Sequence, residues 1–490
     1  MARKLKILFA SPEVFPYAKT GGLGDISGSL PLALHDRGHD VRVIMPKYKC
    51  VAESRLSFHP TGADIRIPVA GRRQTGFLFQ GKLRDKVPLY LVGNDTYYDR
   101  DHLYGDRKGD YPDNARRFIF FCRAILETCK ALGFHPDILH CNDWQTGLVP
   151  IYLKTLYSKD RWFESTRTVF SIHNLGYQGN FPPSALKDAG LPDKLFTPDG
   201  VEFFDRFSFL KSGLMYADLL TTVSRTYSRE IQTPKFGFGM DGVLRYRSDR
   251  LYGILNGVDY KEWNPEVDPW IEKNYGLENL KGKRACKKSL VRRFSLPDNG
   301  KSPILSMITR LSSQKGIDLL MGAMEPLLGA GAAFIILGSG DSLYEHFFLD
   351  MSKRFPGQCA TVIGFDEPLA HQILAGSDIL LMPSQYEPCG LTQMYALKYG
   401  TAPVVRAVGG LHDSIKTFNH TTRKGTGFKF KHFEINHLLK TVQKALFIYK
   451  NKPCWHRLML NGMEADYSWD RAAGKYTRLY FKVLRGDPSC

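Results

Sequence analysis

The sequence has no long hydrophobic run. No apolar stretch in its 490 residues approaches the ~20 that cross a bilayer, so no membrane association is expected. The stretch after the first basic residues, Ile7 to Ala10, is too short for a secretory core, and Pro12 and Glu13 follow at once; it reads as a first buried strand. Paired cysteines are also missing. The nine cysteines are scattered, odd in number and without Cys-x-x-Cys, which fits a reduced cytoplasm better than a disulfide framework. There is no His-Glu-x-x-His, no Gly-x-Ser-x-Gly and no Asp-x-Asp pair in a loop suited to a ligand, so neither serine hydrolysis nor a metal site is indicated. No Gly-x-Gly-x-x-Gly follows the first strand, which makes a nicotinamide dehydrogenase the weakest reading. Tandem repeats and low-complexity tails are absent too.

Acidic balance is lacking as well, and the net charge is +18. The basic residues are dispersed. Their densest cluster, Lys281 to Arg293, is interleaved with Cys286, Leu290 and Val291 at helical spacing, so it reads as a solvated helix face and not as a nucleic-acid surface. The charge suits an anionic small ligand such as a sugar nucleotide.

What is present is an α/β alternation, interrupted once and then restarted. Hydrophobic content of 43% and charged content of 24% are those of a soluble globular protein, and the length calls for two domains. Lys6 to Ala10 and Val41 to Met45 read as strands around a helix that opens at Gly21-Gly22-Leu23-Gly24-Asp25 and runs to about Arg37. Three short runs within residues 65–92 read as an antiparallel meander. A helix from Asp113 places Phe118, Phe121, Cys122, Ile125, Cys129 and Leu132 on one face. Further strands end in Asp143, in His173-Asn174, in Ser224 and in Asn256. The domain boundary is placed there, giving residues 1–255 and 256–465, with a charged region running on to Lys301. The alternation restarts at Pro303, and strands end in Arg310, in Gly338-Ser339-Gly340-Asp341 and in Gly364-Phe365. Residues 466–490 form a terminal helix. The predicted fold class is therefore α/β, two doubly wound Rossmann-like domains facing a central cleft.

The densest constellation is Pro383-Ser384-Gln385-Tyr386-Glu387-Pro388-Cys389-Gly390-Leu391-Thr392-Gln393, where the apolar run Ile379 to Met382 stops. Open α/β sheets hold ligands at the carboxyl ends of their strands, and helix starts there offer N–H groups to phosphate. Glu387 is read as facing a ligand. Arg310 and Lys315 join a strand end to a helix start, which suits a diphosphate, although exposed charged loops are common. Lys19 and Gly22 sit in a glycine-rich first loop that is no recognised phosphate fingerprint. His173 with Asn174, Tyr177 and Gln178 offers polar groups to hydroxyls, while a lone histidine is more often a core or capping residue. Asp143 and Glu387 could each act only as helix caps.

Six segments together resemble a known family: Lys19-Thr20-Gly21-Gly22-Leu23; His173-Asn174-Leu175-Gly176-Tyr177-Gln178-Gly179; Asn256-Gly257-Val258-Asp259; Arg310-Leu311-x-x-Gln314-Lys315-Gly316; Gly338-x-Gly340-Asp341; and Glu387 to Gln393. In this order and spacing they are similar to bacterial glycogen synthases and plant starch synthases, from about Lys6 to the terminal helix. The resemblance implies a retaining glycosyltransferase of the GT-B type. It implies glucose transfer from ADP-glucose to the non-reducing end of an α-1,4-glucan such as glycogen, with no metal and no further cofactor. It also implies the roles. Arg310, Lys315 and Lys19 would neutralise the leaving diphosphate. His173 would face the glucose, with its main-chain carbonyl near the anomeric carbon. Glu387 would bind sugar hydroxyls with the N–H groups of Cys389 and Gly390. Asp143 and Asn256 would line the acceptor and glucose side, and the adenine would stack at Gly364-Phe365. Gly22, Asn174, Leu391 and Thr392 would complete the binding set. Domain closure would be needed to complete the site, and the last helix would cross back to the first domain.

Two positions depart from the wider pattern. Many retaining GT-B enzymes carry a second glutamate eight positions after the first; here Tyr395 stands there, as the glycogen synthase subfamily implies. Phe365 replaces a frequent tyrosine, which leaves UDP-glucose as an alternative donor. A non-catalytic glucan-binding relative and a pyridoxal-phosphate phosphorylase are the competing classes.

Overall fold

Short apolar runs become buried parallel strands because each is covered by helices on both faces. A computed structural model describes residues 3–53, 57–106, 108–297 and 302–486. Lys301, the expected end of the charged region, lies outside the described residues.

The chain divides into two units. The first comprises residues 1–223, 228–257 and 469–490, and the second 224–227 and 258–468. The first unit is built on β1 (Lys6–Ala10), β2 (Asp40–Pro46), β3 (His59–Val69), β4 (Arg72–Leu83), β5 (Val87–Gly93), β6 (Ile138–Asn142), β7 (Arg167–Ile172), β8 (Leu219–Thr222) and β9 (Leu251–Gly253). Their order across the sheet is β9-β8-β7-β6-β1-β2-β5-β4-β3. β3-β4-β5 form the expected antiparallel meander. β5 pairs in parallel with β2, Val43 opposite Leu89, so the run extends the main sheet. The reason is burial: Leu89, Leu91 and Val92 have no exposed surface and require a neighbour on each side. Helix Asn114–Ala131 covers the sheet with Phe118, Phe121, Cys122 and Ile125, all fully buried.

The terminal helix Trp469–Leu484 packs in the first unit, with Tyr476 and Tyr480 fully buried. Tyr480 OH lies 2.7 Å from His140 Nδ1 on β6. At Gly257 a Cβ atom would stand 2.6 Å from the Trp469 Cα, so only glycine lets the two chain crossings lie this close.

The second unit is a parallel sheet of β10 (Ile304–Ile308), β11 (Ala333–Gly338), β12 (Cys359–Ile363), β13 (Ile379–Met382), β14 (Ala402–Arg406) and β15 (Phe428–Phe430). They lie in the order β12-β11-β10-β13-β14-β15. The order reverses between β10 and β13, which makes the loops after these two strands neighbours at the switch point.

Helix Lys281–Arg293 corrects the reading of its basic cluster as a solvated face. Lys283 is buried, and its ammonium reaches Ala375 O (3.1 Å), Ser377 O (3.1 Å), Tyr399 O (2.9 Å) and Thr401 Oγ1 (2.9 Å). Lys287 is paired with Asp378 at 2.6 Å. The other cations of the cluster, such as Lys288, Arg292 and Arg293, do face solvent.

Candidate functional site

In the first unit the predicted residues stand at the carboxyl ends of β1, β6, β7 and β9. Lys19 lies in the loop after β1, its Nζ 2.6 Å from Asp25 Oδ1 in the first turn of helix Gly22–Asp36. Gly22 is that helix's first residue, and a Cβ there would meet nothing within 4 Å. The loop is organised by a carboxylate that sequence reasoning did not single out. Buried Glu13 accepts from Thr20 N and Thr20 Oγ1, both at 2.7 Å, and from Tyr104 OH at 2.8 Å. Its place in the first strand-to-helix loop was the available signal.

Asp143 follows β6 with φ 55°, a left-handed conformation uncommon outside glycine. Its side chain does not cap the short helix that begins at Trp144. Oδ1 accepts instead from the backbone N–H of His173 at 2.8 Å, across to the end of β7. Burial pushes the Asp143 carboxyl up to about 7, and the Glu13 charge adds to this; hydrogen bonds from the His173 and Asn174 amides oppose it.

The His173 ring is buried, with Nε2 2.8 Å from Asn142 Oδ1. Desolvation lowers its pKa to about 3, so the ring is neutral at physiological pH. Nδ1 is buried without a partner. Asn174 Oδ1 turns back to accept from Gly176 N at 3.0 Å. Asn256, after β9, is buried with an unpartnered Oδ1. Among the buried polar atoms of the first unit that have no protein partner, His173 Nδ1 and Asn256 Oδ1 belong to residues that follow strand ends. Such atoms are costly unless something donates to them.

In the second unit the loops after β10 and β13 lie side by side. Gln385 N donates to Gln314 O at 2.8 Å. Gly316 adopts φ 72°, and a Cβ there would sit 2.1 Å from Pro383 O. That close approach ends the 3-10 turn Ser313–Lys315 before helix Ile317–Gly329 begins. Lys315 thus precedes the helix and does not open it. The result is that Lys315 Nζ reaches both oxygens of Glu387, at 2.9 and 2.8 Å. Ser384 Oγ donates to Glu387 Oε2 at 2.9 Å. Glu387 caps no helix; its carboxylate is spent on Lys315 and Ser384.

Past Glu387 the chain is not yet helical. Gly390 has φ 68°, Leu391 is the N-cap residue and helix Thr392–Lys398 starts one residue later. Gln393 pins the turn. Its Nε2 donates to Cys389 O (3.1 Å) and Gly390 O (2.9 Å) and lies 3.1 Å from Ser414 Oγ. Gly409 and Gly410 let helix Gly409–Ser414 press on the same turn: a Cβ at either would lie 1.9 Å from the carbonyl oxygen of Glu387 or Cys389 respectively.

Arg310 is exposed at the end of β10. Phe365 follows Gly364, which has φ 133°, and is 84% exposed, a flat ring offered to solvent. Asp341 caps helix Ser342–Arg354 by accepting from Leu343 N at 2.9 Å. Tyr395 stacks on Trp263 (ring centroids 4.2 Å apart, interplanar angle 2°), and Trp263 stacks in turn on His371 at 3.8 Å, so this position serves packing. Among the described residues no group of three or more histidine, cysteine, aspartate or glutamate side chains could hold a metal ion, and no helix is long and apolar enough to cross a membrane.

Residues 6–246 match the family model described as starch synthase catalytic domain, and residues 291–452 match glycosyl transferases group 1. The chain is 47% identical to a glycogen synthase of Syntrophotalea carbinolica, over 98% of this chain and 99% of that one. It is 44% identical to glycogen synthase 2 of Geobacter sulfurreducens, over 97% and 98%. Among solved structures it is similar to the catalytic domain of starch synthase IV from Arabidopsis thaliana bound to ADP and acarbose. That similarity has a TM-score of 0.91 at 32% identity, over 99% of this chain and 100% of that one.

Proposed function

The chain belongs to the glycogen synthase and starch synthase family of GT-B glycosyltransferases, and we propose that it transfers glucose from ADP-glucose to the non-reducing end of an α-1,4-glucan such as glycogen. Configuration is retained, and neither a metal nor a further cofactor takes part. The observation that carries this reading is the joined pair of strand-end loops in which Lys315 and Glu387 meet out of water. A cation for a phosphate and a carboxylate for sugar hydroxyls stand there within one hydrogen bond of each other.

The chemistry follows from where charge develops. As the bond between the anomeric carbon and the β-phosphate oxygen lengthens, negative charge grows on the diphosphate. Arg310 and Lys315 neutralise it, and Lys19 contributes a third cation; removing one such contact costs on the order of 10²-fold in kcat. Positive charge grows at the anomeric carbon, and the His173 carbonyl faces it. Glu387 accepts from sugar hydroxyls, and the Cys389 and Gly390 amides donate to the same sugar. Lys315 exchanges part of its contact with Glu387 for the phosphate when the donor binds. Asp143 and Asn256 meet the glucan and glucose hydroxyls. The exposed Phe365 ring stacks on adenine, a contact that needs a π-face and no hydroxyl. ADP in the Arabidopsis relative supports the adenine nucleotide over uridine.

The test is elongation of a glycogen primer with ADP-glucose and with UDP-glucose in parallel. Higher kcat/KM with ADP-glucose is expected. Preference for UDP-glucose would overturn the donor assignment, and no elongation with either would overturn the activity.

A further inference from the structure

His173 is fixed at two points, and one ring atom has no partner. Its backbone N–H is donated to Asp143, and its Nε2 faces Asn142 Oδ1 at 2.8 Å. The Asn142 amide cannot be turned over, because Nδ2 donates to Ala10 O on the neighbouring strand at 2.9 Å and lies 3.5 Å from His140 O. Both of those carbonyls only accept, so they identify the nitrogen of the amide and thereby its oxygen. An amide oxygen accepts as well, so the proton between Asn142 and His173 sits on Nε2. A neutral imidazole has one ring proton. Nδ1 therefore presents a lone pair, and it is buried without a partner. The sheet register produces this: Asn142 is the last residue of β6, and β6 pairs with both β1 and β7, so its side chain bridges the one strand's carbonyl and the residue that follows the other.

We propose that Asn142 is a positioning residue that holds His173 in its Nε2–H tautomer, so that Nδ1 serves as an obligatory acceptor for a hydroxyl of the transferred sugar. The proposal rests on the glucosyl-transfer reading above. It adds a rule of specificity: the sugar substituent at this atom must donate, so a fluorine or a methoxy group there is rejected, while without the Asn142 amide the ring can shift its proton to Nδ1 and donate to either. A wrongly protonated ring would set N–H against O–H and leave a buried group unpaired, which is the basis of strong discrimination in polar sites.

The titratable groups around the ring are His140 on the same strand as Asn142, Asp143 bonded to the His173 amide, and Glu13 beside Asp143. The Asn142 contact itself is uncharged, so replacing it with a charge can be read separately from these three.

The experiment uses the full chain labelled with ¹⁵N-histidine, with His173→Gln to assign the ring signals. In the wild type, a proton on Nε2 and none on Nδ1 is expected across neutral pH. Asn142→Leu is expected to mix the tautomers and to lower kcat with ADP-glucose and glycogen by roughly 10- to 100-fold, with KM for glycogen little changed. Asn142→Asp keeps an acceptor for Nε2–H and adds a negative charge, which raises the His173 pKa. As pH falls through that raised value Nδ1 gains a proton, so kcat acquires an acid limb in addition to any that Asp143 gives both proteins, and recovers as pH rises. A wild-type ring with its proton on Nδ1 overturns the proposal. So does Asn142→Leu with kcat within about twofold of wild type, or a variant that loses thermal stability while tautomer and pH profile stay unchanged. The ring spectrum needs no turnover, so failure of the tautomer assignment is separable from failure of the glucosyl-transfer reading.

Discussion

At the scale of single residues, the second unit's site is a charge pair held out of water. The side chains of Lys315 and Glu387 are 16% and 7% exposed. Removing one member of such a pair strands the other charge, at about 3–5 kcal/mol, whereas removing both charges is far milder. Lys315→Met is therefore expected to lower unfolding free energy by about 3 kcal/mol at neutral pH. Lys315→Met combined with Glu387→Gln is expected to regain most of that stability and none of the transfer activity. Denaturant unfolding and initial rates on the two single variants and the double variant check this; strictly additive stability losses would show that the pair does not interact. Each of these residues is legible in the sequence as a polar group at a strand end. Their bonding to each other is not, because it depends on β10 and β13 being neighbours in the sheet although 72 residues separate the two side chains. Asn142 and Glu13 escaped notice for a related reason: their partners, Ala10, His173, Thr20 and Tyr104, are brought to them by sheet order and loop closure.

At the scale of elements, helix Lys281–Arg293 shows how a pattern can be read correctly and incompletely. Cys286, Leu290 and Val291 mark its buried face, as their spacing says. Lys283 lies on that same face, one turn earlier. Its ammonium satisfies carbonyls at the carboxyl end of helix Glu367–Gly376, where the helix dipole also favours a cation. Burial lowers its pKa to about 8, so it remains charged at neutral pH. Lys283→Met is expected to destabilise the second unit by about 3 kcal/mol, since four acceptors lose one donor and only some can find water. Calorimetry or denaturant unfolding reads the shift; a change below about 0.5 kcal/mol would mean that the ammonium is not held as described. A single lysine on an apolar stripe is a visible signal, but the pattern alone does not say whether the ammonium escapes to solvent or finds carbonyls, and only the neighbouring helix end decides it.

At the scale of the whole molecule, the chain leaves the first unit after Gly257 and returns to it at Trp469. The returning helix supplies Tyr476 and Tyr480 to the core, and Tyr480 OH meets the fully buried His140, which also lies 2.6 Å from Ser171 Oγ. Truncation after Ser468 is expected to abolish soluble expression or to leave a first unit with exposed apolar surface that binds a hydrophobic dye, because burying two tyrosines is worth several kcal/mol together. Wild-type solubility and activity of the truncated chain would contradict it.

The sequence by itself determined the α/β alternation, the two sheets and the positions of most candidate residues, since period and turn chemistry are local and strand ends follow from where apolar runs stop. The six motif segments further identified the family before any contact was known. Tertiary structure alone decided which strand ends are adjacent, that residues 59–93 extend the main sheet, that Asp143 binds the His173 amide and caps no helix, and that Asn142 meets the His173 ring. Each of these depends on partners far apart in the chain, whose meeting is fixed by sheet order and burial and not by any residue's immediate neighbours.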